Sequence, residues 1–534
     1  MHAASAAAPR LLASRLGTPL GDRPPDRRRA LRASPARAAA DPPPDAGKPP
    51  KRKLNLDLDL GQVLGAIKRG EGALNLPPGR VGLFGARETF EYLADPNKFI
   101  RSRVAKYGPV FKTGFFFKPA IVFGSRAAVE EYKTFESTLP ADAALPETFR
   151  ELHTRYGALR QSGEEHKATR ANFSAVLGRT ALAHYAPILA RQTRDFVQGD
   201  LASRGTLQPG YDLRQFCLRS LFELFLGAVP PDALMDRMYA YNEGLLALGK
   251  LSPEFEDGQK ALDELTAFCL KHYRTVRAQG KLTDPEYFFL DAYSRATDER
   301  GRVFTDERVA TTCVLMIWGA YIEAAASMGH TLWCLMRHPE AAEKVRAECR
   351  AAFGAEDLRA ARVRLDDVYA KLKYAEAATK EALRVVPQTA GGLRVNPTRR
   401  TLAGYDVPAG YVLTADPRVA FLDEANFPEP DRYRPERFLE RAATEPGEEG
   451  RSNANANDPD AFFPGGMGQH RCPGISLSTL MTQIFLTYMT STFDGWSPDL
   501  EGEGSEDPEY IQVPIVIIDD KYRLKLERNW QYDL

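Results

Sequence analysis

Cys472 is the side chain whose neighbourhood points most directly to chemistry. It closes the run Phe463-Pro464-Gly465-Gly466-Met467-Gly468-Gln469-His470-Arg471-Cys472-Pro473-Gly474, which opens directly into a helical pattern at Leu477–Thr492. Glycines let a backbone approach a flat ligand and leave N–H groups free to point at a sulfur. A sulfur just before a helix N-terminus, beside His470 and Arg471, is expected to be held as thiolate, the form that binds metal. The same run also suits a glycine turn that caps an ordinary helix beside a buried thiol. The other cysteines, Cys217, Cys269, Cys313, Cys334 and Cys349, are widely spaced and contain no C-x-x-C pair. They read as reduced thiols, most of them in apolar helical patterns.

Two further constellations bear on the sulfur. Glu381-Ala382-Leu383-Arg384 places a carboxylate and a guanidinium one helical turn apart, and Pro435-Glu436-Arg437-Phe438 supplies a second arginine from a loop. Buried together, Glu381, Arg384 and Arg437 would lock loop to helix through charge-assisted hydrogen bonds; exposed, they would be worth little. Gly163-Glu164-Glu165-His166-Lys167-Ala168-Thr169-Arg170 puts His166 and Arg170 at i, i+4. That spacing suits two donors gripping carboxylates of one ligand, and equally suits an exposed, solvated helix face.

Long elements must position these groups. Thr305 can cap a helix that stays apolar through Trp333 and stops before His338-Pro339, with Asp306 and Glu307 at its positive dipole end. About 30 residues is long for a soluble helix and requires burial on most sides. Leu76-Pro77-Pro78-Gly79 is an extended entry, followed by an amphipathic stretch near Arg87–Tyr107. Val110–Phe123 reads as two strands turning near Lys118-Pro119. Helical periodicity dominates from Glu165 to Phe353, short strands follow Gly391, and a final strand pair falls around Val513–Leu526.

The chain has 534 residues with 71 basic and 71 acidic side chains, so no global charge draws it to nucleic acid or acidic membranes. No run of some 20 consecutive apolar residues marks a transmembrane segment, although peripheral membrane contact stays open. Residues 1–50 are rich in Ala, Arg, Pro and Ser, the composition of an organelle transit peptide, plastid ahead of mitochondrion, or else of an unaddressed tail. The expected organisation is a disordered transit peptide at 1–50, a linker at 51–73 and one helix-dominated domain with a small β subdomain at 74–534.

In this order the pieces resemble the cytochrome P-450 superfamily from Leu76 onward. Leu76–Gly79 resembles its proline-rich hinge, Glu381/Arg384 with Arg437 its structural triad, and the Cys472 loop its haem-binding signature. Asn97-Lys98-Phe99 to Phe111-Lys112-Thr113 and the Gly-Glu-Glu-His segment are most similar to the branch that oxidises retinoids, carotenoids and sterols. The resemblance implies haem b between the long central helix and the Cys472 loop, with Cys472 as axial ligand. His166, Arg170, Arg394 and His470 would hold its propionates. Tyr321, Thr389, Ala390, Gly391 and Val513 would line the substrate pocket. It further implies a monooxygenase acting as a monomer on an apolar, isoprenoid-like substrate, with electrons from a ferredoxin or an NADPH-dependent reductase.

The sequence departs from that pattern twice. The family's central helix presents an acid followed by threonine; here it reads Trp318-Gly319-Ala320-Tyr321-Ile322-Glu323-Ala324-Ala325-Ala326-Ser327. Aligned on His338-Pro339, Glu323 takes the threonine position; aligned on the glutamate, Ala324 does, and threonine is absent either way. Gly465 stands where a phenylalanine packs near the sulfur, which could leave the sulfur more exposed. Glu323 or an ordered water is expected to take over proton delivery. The rival readings are a lyase or isomerase rearranging a lipid hydroperoxide without external electrons, and a non-catalytic haem-bearing lipid-binding module.

Overall fold

The structure, a computed structural model, describes residues 74–82, 85–247, 249–439, 458–500, 506–512 and 515–529. The expected transit peptide at 1–50, the linker at 51–73 and Val513 lie outside the described residues.

Helix Asp306–Arg337 organises the rest. Thr305 caps it by accepting from the Arg308 amide, and Asp306 pairs with Arg274 and Arg277 at its positive end. Its 32 residues extend about 48 Å, and they are packed by helices Pro209–Leu226, Pro253–Ala278, Lys373–Val385 and Ile475–Thr492. Among the described residues this helix alone is long and apolar enough to cross a membrane, yet 78% of that stretch is buried inside the protein. Continuous apolarity is what a helix enclosed by four others requires.

The β subdomain is a four-stranded sheet in the order Val110–Phe115, Lys118–Phe123, Val412–Ala415, Arg394–Val395, with smaller two- and three-stranded sheets beside it. Mainly helical architecture with small sheets agrees with the expected fold. Three local expectations need correction. The Arg87–Tyr107 stretch is two helices, Ala86–Ala94 and Pro96–Tyr107, because Pro96 breaks the first and Asp95 caps the second at the Lys98 amide. The first hairpin turns at Phe116-Phe117, whose φ values are 46° and 62°, and Lys118-Pro119 already lie in the second strand. The C-terminal strands belong to two sheets: Tyr510–Gln512 with Val516–Ile518, and Leu524–Arg528 against Phe493–Pro498.

Candidate active site

The loop before helix Ile475–Thr492 is built by its glycines. Gly466 and Gly468 have φ of 75° and 65°, left-handed values that favour glycine. The Gly466 amide donates to the Phe463 carbonyl at 2.9 Å, and the Cys472 amide donates to the Gly465 carbonyl at 2.8 Å. These bonds fold the loop so that the Gly474 amide points at the Cys472 sulfur, 3.4 Å away. At Gly465 a side chain would overlap Ile475, which fills part of the space a larger residue would take.

The sulfur's electrostatics differ from expectation. Burial pushes the Cys472 thiol up, the Glu323 charge adds to this, and the Gly474 amide, Arg170 and the Ile475 amide pull it down; the balance is about 12. Arg471 is exposed. The helix N-terminus therefore does not hold a thiolate by itself. A bound metal cation would, because its charge displaces the proton.

Glu323 comes from the middle of the central helix and is partly buried, while Ile322 and Ala324 on either side are fully so. Burial raises its carboxyl to about 7. Glu323 acts on Cys472 through its charge, so helix and loop face a common space. With a folded pKa above the unfolded one, the neutral carboxyl is the form the fold prefers. Its stabilising contribution is present at acid pH and is lost as pH rises through about 7. Glu323→Gln is therefore expected to gain stability over wild type at pH 8, on the order of 2 kcal/mol, and nothing at pH 4. Denaturant melts at the two pH values check this.

The four expected anion-holding side chains do converge. His166 and Arg170 lie one turn apart on helix Gly163–Leu177. The His166 ring stacks on His470 at 3.9 Å between centroids. Burial, then the neighbouring His470, Arg170 and Arg394, lowers His166 to about 4. Arg394 is fixed by its strand, paired with Leu413. Its Nε is buried without a hydrogen-bond partner, 3.5 Å from the Glu136 carboxylate. His470 is the partial correction: its Nδ1 faces Glu136 Oε1 at 2.6 Å and its Nε2 faces the Gln161 carbonyl at 3.3 Å, so both nitrogens are engaged within the protein. Glu136 is the residue sequence reasoning missed. Burial opposes its ionisation, but the His470 hydrogen bond and the charges of His470 and Arg394 outweigh it and lower its pKa. Nothing in Phe135-Glu136-Ser137 marks it; only the fold brings it 334 residues along the chain to His470.

The triad is fully buried. Arg384 grips both Glu381 oxygens at 2.8 Å, and Arg437 Nε donates to Glu381 Oε1 at 2.9 Å. The excess positive charge is met by carbonyls: Pro430 and Arg432 accept from Arg384, and Pro428 accepts from Arg437.

The expected substrate contacts divide. The Gln388 carbonyl accepts from the Val516 amide at 2.9 Å, so the segment containing Thr389 and Ala390 adjoins the C-terminal hairpin. Tyr321 is fully buried, edge-on to Tyr239 at 6.1 Å, with its hydroxyl unpartnered. One turn before Ile322, Trp318 meets Phe149 at 5.8 Å and His153 at 5.3 Å, an aromatic wall that sequence reasoning did not anticipate. Gly391 has a packing role: a methyl there would overlap the Ala415 carbonyl oxygen on the adjacent strand. Gly391→Ala is expected to cost about 1–3 kcal/mol, as overpacking does, read as a lower Tm.

A cysteine-ligated iron fits these residues. The single soft ligand suits iron, and Arg394 keeps a buried unsatisfied donor. Among the described residues no cluster of three or more His, Cys, Asp or Glu offers a competing metal site.

Comparison with known proteins agrees. The family model described as Cytochrome P450 matches residues 235–526. Taxane 10-beta-hydroxylase of Taxus cuspidata is 26% identical, covering 83% of this chain and 90% of its own. Ent-kaurenoic acid oxidase 1 of Arabidopsis thaliana is 26% identical, covering 78% and 85%. The solved structure titled "Retinoic acid bound cyanobacterial CYP120A1" superposes with TM-score 0.73 at 22% identity, covering 86% of this chain and all of that one.

Proposed function

The chain belongs to the cytochrome P450 family, haem-thiolate monooxygenases, and from that premise we propose that Cys472 ligates the iron and that the substrate is an apolar isoprenoid. The observation that carries the reading is the placement of Glu323, from the central helix, close enough for its charge to act on Cys472 in the glycine loop. When bound, the haem supplies dioxygen activation, and the cysteine's electron donation favours O–O cleavage.

The protein's own residues do the rest. His166, Arg170 and Arg394 would present donors to the propionates, while Glu136 holds His470 in the loop. Glu323, with a carboxyl near 7, holds and releases a proton at its side-chain oxygens. That supports it, rather than Ala324, in place of the absent threonine. The aromatic wall of Phe149, His153 and Trp318 excludes water and gives an apolar substrate its contact surface. Taxanes and kaurenoic acid, in the names of the relatives, are terpenoids, and retinoic acid in the bound structure is an isoprenoid too. These names support hydroxylation or epoxidation of such a skeleton.

A ferredoxin or an NADPH-dependent reductase would supply the electrons. The composition of residues 1–50 supports a plastid location, with the mitochondrion as the alternative, which a fluorescent fusion distinguishes. The decisive assay compares turnover of terpenoid substrates under dioxygen with an electron donor against turnover of lipid hydroperoxides without one. Product only with donor and dioxygen supports the monooxygenase. Equal turnover without a donor would establish the rearranging reaction instead, as the missing threonine and Gly465 would then require.

A further inference from the structure

His153 is the C-cap of the short helix Glu147–Leu152, and its amide donates to the Phe149 carbonyl at 2.8 Å. Only 4% of the residue is open, and its Nδ1 is buried without a hydrogen-bond partner. The loop that follows makes room for this ring. A Cβ at Gly157 would stand 2.1 Å from His153 Cδ2 and 2.3 Å from its Nε2. Gly157 has φ −73° and ψ 127°, which any residue adopts, so space and not backbone freedom requires glycine there. The Cδ2–Nε2 edge is therefore the part of the ring nearest the loop, and Nδ1 is the ring atom farthest from that edge. Neighbouring polar groups are already used. Trp318 Nε1 donates to Asn242 Oδ1 at 3.0 Å, and the Tyr241 hydroxyl donates to the Leu152 carbonyl at 3.2 Å. Arg160 Nε donates to Asp142 Oδ1 at 2.5 Å. Burial, then the Arg160 charge, lowers His153 to about 3, so the ring is neutral and Nδ1 donates or accepts according to tautomer. The wall that His153 forms with Phe149 and Trp318 borders an open space. Gly319, next to Trp318 on the central helix, is exposed, and a Cβ there would meet nothing within 4 Å. Glu323 follows one turn along the same face, enclosed enough that burial raises its carboxyl to about 7. The space beside Trp318 thus lies on the interior face that carries Glu323.

We infer that His153 is a specificity-determining residue whose Nδ1 hydrogen-bonds an oxygen already carried by the substrate; this rests on the reading above of an isoprenoid held against the aromatic wall. A buried nitrogen without a partner is unfavourable, and a ligand hydroxyl, carbonyl or carboxylate supplies what the protein does not. Phe149 and Trp318 offer ring surface, which grips a skeleton but does not tell an oxygenated one from a bare hydrocarbon. One placed nitrogen does. A site built to meet an oxygen rejects the analogue lacking it, because its own polar atom is then left unpaired. The substrate class narrows to isoprenoids that carry an oxygen at one end and offer a C–H bond for oxidation elsewhere. A reaction that installs that first oxygen must therefore act before this one.

The test uses the haem-loaded full chain, with affinity read from the substrate-induced absorption shift of the resting enzyme. The probes are retinoic acid and ent-kaurenoic acid, their alcohols, and the hydrocarbons of the same skeletons. Wild type is expected to bind an oxygenated probe about ten- to a hundredfold more tightly than its hydrocarbon; no such preference overturns the proposal. His153→Phe is expected to abolish the preference by weakening the oxygenated probe, with hydrocarbon affinity unchanged. His153→Asn, whose amide takes the place of Nδ1, is expected to retain most of the preference. His153→Leu replaces the phenylalanine variant if that one fails to load haem. Phe149→Ala separates the proposal from its premise and is expected to weaken every probe. If it changes no affinity, or if no probe shifts the spectrum of wild type, the reading of the wall and its isoprenoid fails, and the proposal with it. If Phe149→Ala weakens binding while His153→Phe keeps the preference, the role of His153 is overturned alone. Equal loss of oxygenated and hydrocarbon probes in His153→Phe would show a structural role and overturn it as well.

Discussion

Glu381→Gln is expected to destabilise the fold by about 3–5 kcal/mol, the range for breaking a buried ion pair from one side. The substitution preserves shape and removes one charge. In wild type that carboxylate is shared by two fully buried guanidiniums, and it also accepts from the Arg434 amide at 2.8 Å. Neutral glutamine leaves Arg384 and Arg437 close together in an enclosed space without the carboxylate charge they share. An amide nitrogen would also oppose donors that now meet oxygens. The loss should appear as a steep fall in Tm and in the yield of haem-loaded protein. Arg437→Met, which removes one cation with its burial cost, should be milder than Glu381→Gln; equal damage would show that shape rather than charge governs the triad.

Cys472→Ala is expected to abolish turnover and the absorption band of the reduced carbon-monoxide complex that thiolate ligation produces. Losses around a metal ligand alone weaken binding by about 10–100-fold, so loss of the ligand itself is expected to exceed about 100-fold. The cavity left is small and the loop is held by backbone bonds from Gly465 and Gly466, so the apoprotein should still fold, as circular dichroism would show. Retention of that absorption band in Cys472→Ala would remove the axial assignment.

The elements and ion pairs that depend on local pattern were legible in the sequence. The central helix declares itself by a cap, a dipole-matched first turn and unbroken apolarity, and the Glu381–Arg384 pair by its helical spacing. His166 and Arg170 could be named, yet their cluster could not be completed, because Glu136 enters it from a distant turn with no local signature. The turn at Phe116-Phe117 was unreadable for another reason. Two phenylalanines in left-handed conformations defy turn chemistry, and pairing of the flanking strands overrides it. Helix position alone does not set the state of Cys472: enclosure and the Glu323 charge oppose its ionisation, and a bound iron would be needed to hold it as thiolate. For Gly391 the structure adds a packing requirement that no local pattern announces, the closeness of the Ala415 carbonyl oxygen.

The contact between Glu136 and His470 has a kinetic consequence. It closes a loop of 334 residues, and chain entropy charges for such closure before any contact rewards it. The surfaces it brings together are the turn Glu136–Thr138, after helix Arg126–Lys133, and the turn Gly468–His470, before helix Ile475–Thr492, so the pocket cannot be completed until the last of these has been made. Capture of the prosthetic group is thereby placed at the end of folding, after the helical core has formed. A refolding experiment should show helical signal recovering before the Soret band.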